Sequence, residues 1–120
     1  MEILLVGAGG AAGAVFRYLI SMIPYKGTFP LLTLLTNFLG ALLIGYIAGT
    51  AETRGLNSSA VLFLKTGLCG GFTTFSTFSL ESYDLIKAGR GEAAVIYMIL
   101  SVVLCLLGVM AGMEAARRTA

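Results

Sequence analysis

Hydrophobic residues run through the chain in four long blocks that are separated by short polar stretches. The blocks are continuously apolar and do not alternate with polar residues, which favours helices over strands. Because lipid offers no hydrogen-bonding partner to the backbone, only helices or closed barrels cross a membrane. The pattern predicts an all-α membrane protein, a single domain of residues 1–120 with four transmembrane helices at about 3–23, 30–51, 59–86 and 92–114.

Turn-forming residues lie between the blocks. Pro30 opens the second block, and proline suits the first turn of a helix. Residues 52–55 form the second connection and residues 87–91 the third. Asn57 or Ser58 has the side-chain oxygen that caps a helix start, so the third helix is expected to begin there.

The composition supports a membrane protein. Of the 120 residues, 58% are hydrophobic and 12% are charged, whereas soluble domains have about 25% charged residues. We expect no cleavable signal sequence, because Glu2 is the only charge before Arg17 and no basic segment precedes the first block. The net charge of +2 and the scattered basic residues do not predict nucleic-acid binding.

The residues that most often carry enzyme chemistry are scarce. The chain has no histidine, and its two cysteines, Cys69 and Cys105, lie in apolar blocks and are expected to be free packing thiols. The sequence has no nucleophile–base pair, phosphate loop or pair of deep carboxylates. The glycine-rich residues 7–13 open a helix without a preceding strand, so they do not predict dinucleotide binding. We therefore do not expect an enzyme.

Glycines four residues apart recur in three of the four blocks. The pairs are Gly9 with Gly13, Gly45 with Gly49, and Gly108 with Gly112. In lipid, small residues at this spacing let helix backbones touch. One such pair can arise by chance in a glycine-rich chain, but three pairs on three spans predict close helix packing.

Basic residues are divided equally between the two sides of the predicted bundle. One side has Arg54, Arg117 and Arg118, and the other has Lys26, Lys87 and Arg90. Because an excess of positive charge normally sets the orientation of a membrane protein, the equal count predicts a chain that inserts in both orientations and pairs head to tail. The alternative is that the loop boundaries are slightly displaced.

The third block contains a polar interruption. Gly70 and Gly71 are followed by five hydroxyl side chains between positions 73 and 79. Each glycine weakens a helix by about 1 kcal/mol, and irregular backbone at membrane depth is tolerated only where it is buried in protein or lines a wet cavity. Such breaks place free carbonyls near cations and helix N-termini near anions. We predict that the third helix is broken in the middle, at an ion site.

Phe72, Phe75 and Phe78 recur every three residues beside these hydroxyls. One interpretation is simple packing. The other uses the positive edge of an aromatic ring. Ring edges and hydroxyl donors together give an anion an uncharged path, which does not hold the ion too tightly for rapid passage.

Polar side chains in the other spans are further candidates. Thr33 and Asn37 lie four apart on one face of the second helix. The N–H groups of Asn37 suit an anion, and a helix-to-helix hydrogen bond is an equal alternative. Tyr97 and Ser101 are four apart in the fourth span. The charged side chains at or near membrane depth, which are functional candidates by their position, are Arg17, Lys65, Glu81 and Asp84.

These motifs resemble those of one family, the Fluc or CrcB fluoride channels of microbes. The similarity covers nearly the whole chain. It runs through Gly13–Tyr18, Thr33–Gly40 and the most specific motif, Gly67–Phe78, and Tyr97 and Ser101 complete it. The resemblance implies a fluoride-selective ion channel in the bacterial cell (inner) membrane. It also implies an antiparallel, dual-topology homodimer with two pores.

The resemblance further implies roles for individual residues. Phe75 and Phe78 would line the pore with their ring edges toward fluoride, and Asn37 would donate to the ion. The other residues implied along the path are Ser101, Tyr97, Ser76, Thr77, Glu81, Thr33 and, near the entrance, Arg17. The backbone carbonyls of Gly70 and Thr73 of both subunits would hold a structural sodium ion, which agrees with the preference of hard cations for oxygen.

The implied mechanism is passive export of fluoride, which lowers its cytoplasmic concentration and its toxicity. Two other functions compete with this one. A small multidrug antiporter also has four helices and dual topology, but it needs a carboxylate at mid-depth of the first span, where this chain has Arg17 and only a terminal Glu2. A structural subunit without transport would not need five hydroxyls in its third span.

Overall fold

The computed structural model describes residues 1–119, which are helical with short connections and contain no β-strand, as the predicted all-α class requires. The helices are α1 (Glu2–Ser21), α2 (Leu31–Thr53), α3 (Ser58–Val61), α4 (Gly70–Phe72), α5 (Phe75–Lys87) and α6 (Gly91–Arg118), with a π-helical segment, Leu62–Cys69, between α3 and α4. Within the described residues, α1, α2 and α6 are long and apolar enough to span a membrane. The predicted third span is divided among the shorter elements.

The ends of three long helices differ from the predicted ends, and α2 continues to Thr53, beyond the predicted end at 51. α1 stops at Ser21, before the predicted end at 23, because Pro24 disfavours helical backbone in the residue before it. α6 continues to Arg118, beyond the predicted end at 114. Arg118 Nε donates to Glu114 Oε1 at 3.1 Å, one turn back on the helix, and this pair supports the extra turn.

Side-chain caps and glycines set several other boundaries. Asn57 Oδ1 accepts a hydrogen bond from the Ala60 N–H at 2.7 Å, so Asn57 is the cap that starts α3. Gly55 and Gly89 follow α2 and α5 with φ of +79°, a left-handed conformation that glycine adopts without steric cost.

The stretch from 58 to 87 departs from a regular helix in two ways. Its backbone is π-helical over Leu62–Cys69, a rare form that is frequent at functional sites. Thr73 and Thr74 are then extended, with ψ of 157° and 117°. These two residues, here called the break, separate α4 from α5. The break predicted from the two glycines is therefore present, and it lies directly after Phe72.

Glycines bring α2 and α6 into backbone contact. A Cβ atom at Gly45 would lie 2.9 Å from the Cα of Val109, and one at Gly112 would lie 2.8 Å from the backbone nitrogen of Tyr46. Real Cβ atoms essentially never come so close, so this helix separation requires glycine at both positions.

α1 packs in the same way against the π-helical segment and α4. A Cβ atom at Gly9 would lie 2.9 Å from the backbone nitrogen of Leu68, and one at Gly13 would lie 2.7 Å from that of Phe72. All three glycine pairs singled out in the sequence lie at helix contacts, although a Cβ atom at Gly108 would meet only side chains of α2, the nearest at 3.2 Å. The prediction of close helix packing is therefore confirmed.

The outward faces of the long helices are apolar. Large hydrophobic side chains remain exposed on α1 and α6, among them Ile3, Val102 and Leu106. Water solvates such a surface poorly, whereas the hydrocarbon core of a bilayer accepts it. The buried contacts therefore lie between helices, and the outer surface suits lipid or another apolar partner.

Candidate functional site

The break is held by the side chain of Asn37, from α2. The Thr74 N–H donates to Asn37 Oδ1 at 2.9 Å, and Asn37 Nδ2 donates to the Thr74 carbonyl at 3.1 Å. These bonds replace partners that a continuous helix would give Thr74. A carboxamide has two N–H groups, so one remains for another acceptor. The sequence offered two alternative roles for Asn37, a hydrogen bond to another helix or donation to an anion. Its side chain can do both at once.

Hydroxyl groups cluster where α5 begins. Thr74 Oγ1 accepts from the Thr77 N–H at 3.1 Å and donates to Thr77 Oγ1 at 3.1 Å. Ser76 Oγ lies 3.3 Å from Thr74 Oγ1. Thr74 is thus the N-cap of α5, a role the sequence analysis missed. The signal was present, because a threonine just before a helical segment is a preferred cap.

Several backbone carbonyls at the break are free. The Cys69 carbonyl accepts from the Thr73 N–H at 3.0 Å and from Thr73 Oγ1 at 2.9 Å. The carbonyls of Gly70, Phe72 and Thr73 accept no hydrogen bond within residues 1–119. Two of these, Gly70 and Thr73, are the expected sodium ligands. Hard cations prefer oxygen ligands such as free carbonyl groups, so the residues present fit a sodium ion.

The phenylalanines of the third element are not one continuous stripe. The rings of Phe75 and Phe78 have centroids 5.5 Å apart, and the ring of Phe78 lies 5.1 Å from that of Tyr97. Phe72 lies before the break and, within the described part of the chain, takes no part in this stacking. Tyr97 is 0% exposed, whereas Phe75 is 78% exposed. The aromatic set thus runs from the protein core to its surface.

Glu81 joins three helices. Thr33 Oγ1 of α2 donates to Glu81 Oε2 at 3.0 Å, and the Tyr97 hydroxyl of α6 donates to Glu81 Oε1 at 2.9 Å. Both carboxyl oxygens therefore have a hydroxyl partner. The family resemblance implied that these three residues lie along one path, and the structure brings them into direct contact.

A groove of about 530 Å³ opens beside the break. The predicted site residues in its wall are Asn37, Gly70, Thr73, Phe75, Phe78 and Ser101. The Ser101 hydroxyl is buried and has no hydrogen-bond partner within the described residues. Tyr97, one turn before Ser101, is outside this wall. Lys65 also lines the groove, exposed and without an ion pair in residues 1–119.

Arg17 lies apart from the groove. It lines a smaller cavity of about 120 Å³ together with Thr33, Thr74 and Thr77. Its Nε donates to the Gly71 carbonyl at 3.2 Å. The predicted residues therefore form three neighbouring groups: the groove, the Glu81 cluster and the Arg17 cavity. The break passes between the first and the last of these.

A helical membrane protein in which side chains from neighbouring helices surround a broken span has the architecture of an ion-handling protein. The chain belongs to the CrcB-like family. The family model described as "CrcB-like protein, Camphor Resistance (CrcB)" matches residues 4–113. This match confirms the resemblance seen in the sequence motifs.

Individual relatives are similar over most of their length. A protein of Nitrobacter winogradskyi named "Fluoride-specific ion channel FluC" is 47% identical over 119 residues, which cover 96% of this chain and 94% of the relative. A protein of the same name from Phocaeicola vulgatus is 46% identical, over 92% of this chain and 94% of its own. Another from Ruminiclostridium cellulolyticum is 42% identical, over 100% and 95%.

Proposed function

We propose that this chain is a subunit of a fluoride-selective ion channel, which exports fluoride passively and so lowers cytoplasmic fluoride and its toxicity. The observation that carries the proposal is the groove at the break, where Asn37, Phe75, Phe78 and Ser101 share one wall. These four side chains are uncharged, and two of them are hydrogen-bond donors. The names of the relatives support fluoride as the ion.

The donors in the groove suit a small anion. The Ser101 hydroxyl has no protein partner within the described residues, and Asn37 keeps one N–H beyond the bond it gives Thr74. A buried donor without an acceptor is unfavourable, and a fluoride ion supplies the acceptor. The positive edges of the Phe75 and Phe78 rings complete the surroundings. Because none of these groups has a full charge, the ion is held weakly enough to leave.

A polar track continues beside the phenylalanines. Thr33 and Tyr97 are fixed by their hydrogen bonds to Glu81, and Ser76 and Thr77 are fixed by Thr74. The Thr77 hydroxyl accepts from Thr74 and keeps its own proton, so it replaces part of the hydration shell of the ion as it crosses, whereas the Thr33 and Tyr97 hydroxyls have given their protons to Glu81. Selectivity follows from a narrow path whose donors are already oriented.

The driving force is electrical. Hydrogen fluoride enters an acidified cell as a neutral molecule and ionises in the cytoplasm. The inside-negative potential then drives the anion out, at about 2.3 kcal/mol per charge for each 100 mV. No pump or energy source is needed, only a path for the ion.

The working unit in this proposal is an antiparallel, dual-topology homodimer in the bacterial inner membrane. In each chain the interrupted stretch from 58 to 87 is the remaining membrane span. Phe75 is 78% exposed beside a largely apolar groove, and the second copy supplies the cover that this surface needs. The equal division of basic residues supports insertion in both orientations. Reporter fusions at the C-terminus should be active on both sides of the membrane, and activity on one side only would contradict dual topology.

A sodium ion at the break of both chains is the proposed cofactor. The carbonyls of Gly70 and Thr73, which accept no hydrogen bond from the described part of their own chain, would hold it, and when bound it would supply a positive charge that ties the two breaks together. Replacing sodium with a large organic cation should lower the melting temperature of the purified dimer. An unchanged melting temperature would remove the ion from the proposal.

Ion efflux from liposomes tests the function. Vesicles containing the purified protein should release fluoride rapidly and retain chloride. Phe75→Ile and Phe78→Ile should suppress fluoride release while dimers persist, and Phe16→Ile, at an exposed position on α1, is the matched control. Equal release of both anions would refute selectivity. Normal release by both groove variants would refute the role of the two rings.

A further inference from the structure

Arg17 hydrogen-bonds the backbone at the end of α4. Its Nε–H donates to the Gly71 carbonyl across the contact with α1, at 3.2 Å. The last carbonyls of a helix have no donor from their own helix. In a continuous helix the Phe75 N–H would fill this place, but the break removes it. The guanidinium group of Arg17 thus gives the Gly71 carbonyl the hydrogen bond that it loses because of the break.

The approach of α1 fixes where this guanidinium can lie. Gly9, Gly13 and Arg17 are four apart and lie on one face of α1. A Cβ atom at Gly13 would lie 3.0 Å from the carbonyl carbon of Gly71, so the two backbones are in contact one turn before Arg17. The Arg17 side chain therefore extends to Gly71 from a helix backbone that is held in place by close packing.

Among residues 1–119 the charge of Arg17 has no carboxylate partner. The ion pairs within residues 1–119 involve Glu114 with Arg117 and Arg118, at the other end of the chain. Half-buried at membrane depth, an unpaired cation is costly. The C-terminal end of a helix carries partial negative charge, and the helical stretch from 58 to 72 ends at this point. Its terminal carbonyl is the partner that the structure provides.

We propose that Arg17 is a positioning residue for the channel, acting through its Nε–H and not through an ion pair. It holds Gly71 just before the break, while Asn37 holds Thr74, the second residue of the break. The two side chains, from α1 and α2, together set the direction in which the chain leaves α4 and hence the placement of Phe75. The inference rests on the proposed fluoride function only where fluoride efflux is used to test it.

Two substitutions separate the donor from the charge. In Arg17→Gln the side-chain nitrogen is as many bonds from the backbone as arginine Nε, so an N–H is kept and the charge is lost. Arg17→Met has similar length and neither feature. Loss of the bond should lower fluoride efflux about tenfold in the methionine variant, while the glutamine variant stays within about twofold of the parent. Arg118→Gln and Arg118→Met, at the exposed end of α6, are the matched controls and should both conduct normally.

The carbonyl itself can be observed. Gly71–Phe72 is the only Gly-Phe sequence in the chain, so labelling glycine with ¹³C at the carbonyl and phenylalanine with ¹⁵N selects the Gly71 carbonyl by NMR. Loss of its hydrogen bond should move this resonance upfield in the methionine variant, and glutamine should restore it. This measurement does not depend on conduction, so a protein that conducts no fluoride would refute the proposed function without deciding the role of Arg17.

The outcomes that overturn the inference are distinct. Equal loss of efflux in both Arg17 variants would show that charge is what counts. The same Gly71 resonance in all three proteins would show that the bond is not made. If the methionine variant does not assemble, the glutamine variant decides alone: normal efflux with the parental resonance supports the inference, and loss of either refutes it.

Discussion

Replacing Gly13 with alanine tests whether backbone contact with α1 sets the geometry of the break. The new Cβ atom would lie 2.7 Å from the Phe72 nitrogen and 3.0 Å from the Gly71 carbonyl carbon. Both are backbone atoms that cannot rotate away, so α1 has to move. Overpacking of this kind costs about 1–3 kcal/mol. Alanine regains about 1 kcal/mol of helix propensity, but the displaced Arg17 loses a bond worth about 1 kcal/mol. The net destabilisation expected is about 1–3 kcal/mol.

Gly7→Ala is the control within the same helix, because a Cβ atom there meets nothing within 4 Å. It keeps the propensity gain and adds no clash. Cys69 is a buried reporter in the element that α1 packs against, since it lies in the π-helical segment next to Leu68 and is 2% exposed. With Cys105 replaced by serine, labelling by a thiol reagent measures how often the contact opens.

The labelling rate of Cys69 measures the destabilisation of the α1 contact directly. When opening is fast and reversible, the rate follows the open population, so 1.4 kcal/mol corresponds to about a tenfold increase. Gly13→Ala should label Cys69 about tenfold faster than the parent, and Gly7→Ala should not. If the two alanine variants label at the same rate, the contact does not depend on glycine and the reasoning is wrong.

Two further predictions concern the hydrogen bonds around the break. Asn37→Ala leaves the N–H and the carbonyl of Thr74 without their partner and should cost about 2–4 kcal/mol in unfolding free energy; a loss below about 0.5 kcal/mol would show that water replaces the amide at no cost. Tyr97→Phe removes a donor to Glu81 and should cost about 1–2 kcal/mol in thermal unfolding, whereas Tyr83→Phe, at an exposed position, should cost nothing. Equal melting temperatures for the two phenylalanine variants would contradict the role given to the Tyr97 hydroxyl.

Sequence alone predicted the helices and the break because both depend on local composition. Long apolar runs specify spans in lipid, and Gly70 and Gly71 ahead of clustered hydroxyls weaken one helix at one place. The glycine spacing also predicted that helices touch. It did not show which helices pair, since a helix surface formed by small residues can pack against any of several other helices.

The contacts that hold the break depend on tertiary structure. Asn37 and Thr74 are 37 residues apart, and Arg17 and Gly71 are 54 apart, so no local pattern connects them. The π-helical backbone of Leu62–Cys69 was also missed. Its residues form an ordinary apolar run, and the wider turn accompanies the close contact of Gly67 with α1, where an added Cβ would lie 2.9 Å from the Val6 carbonyl oxygen.

The order of helix pairing has a consequence for how the chain is made. The close glycine contacts join α1 to the π-helical segment and α4, and α2 to α6, so the pairs interleave along the sequence. Neither residues 1–53 nor residues 58–119 contain a complete pair. During synthesis α1 has to wait in the bilayer until the third span emerges, and α2 has to wait for the last. Loop charges therefore act on the orientation of the early spans before the close glycine contacts exist to correct it.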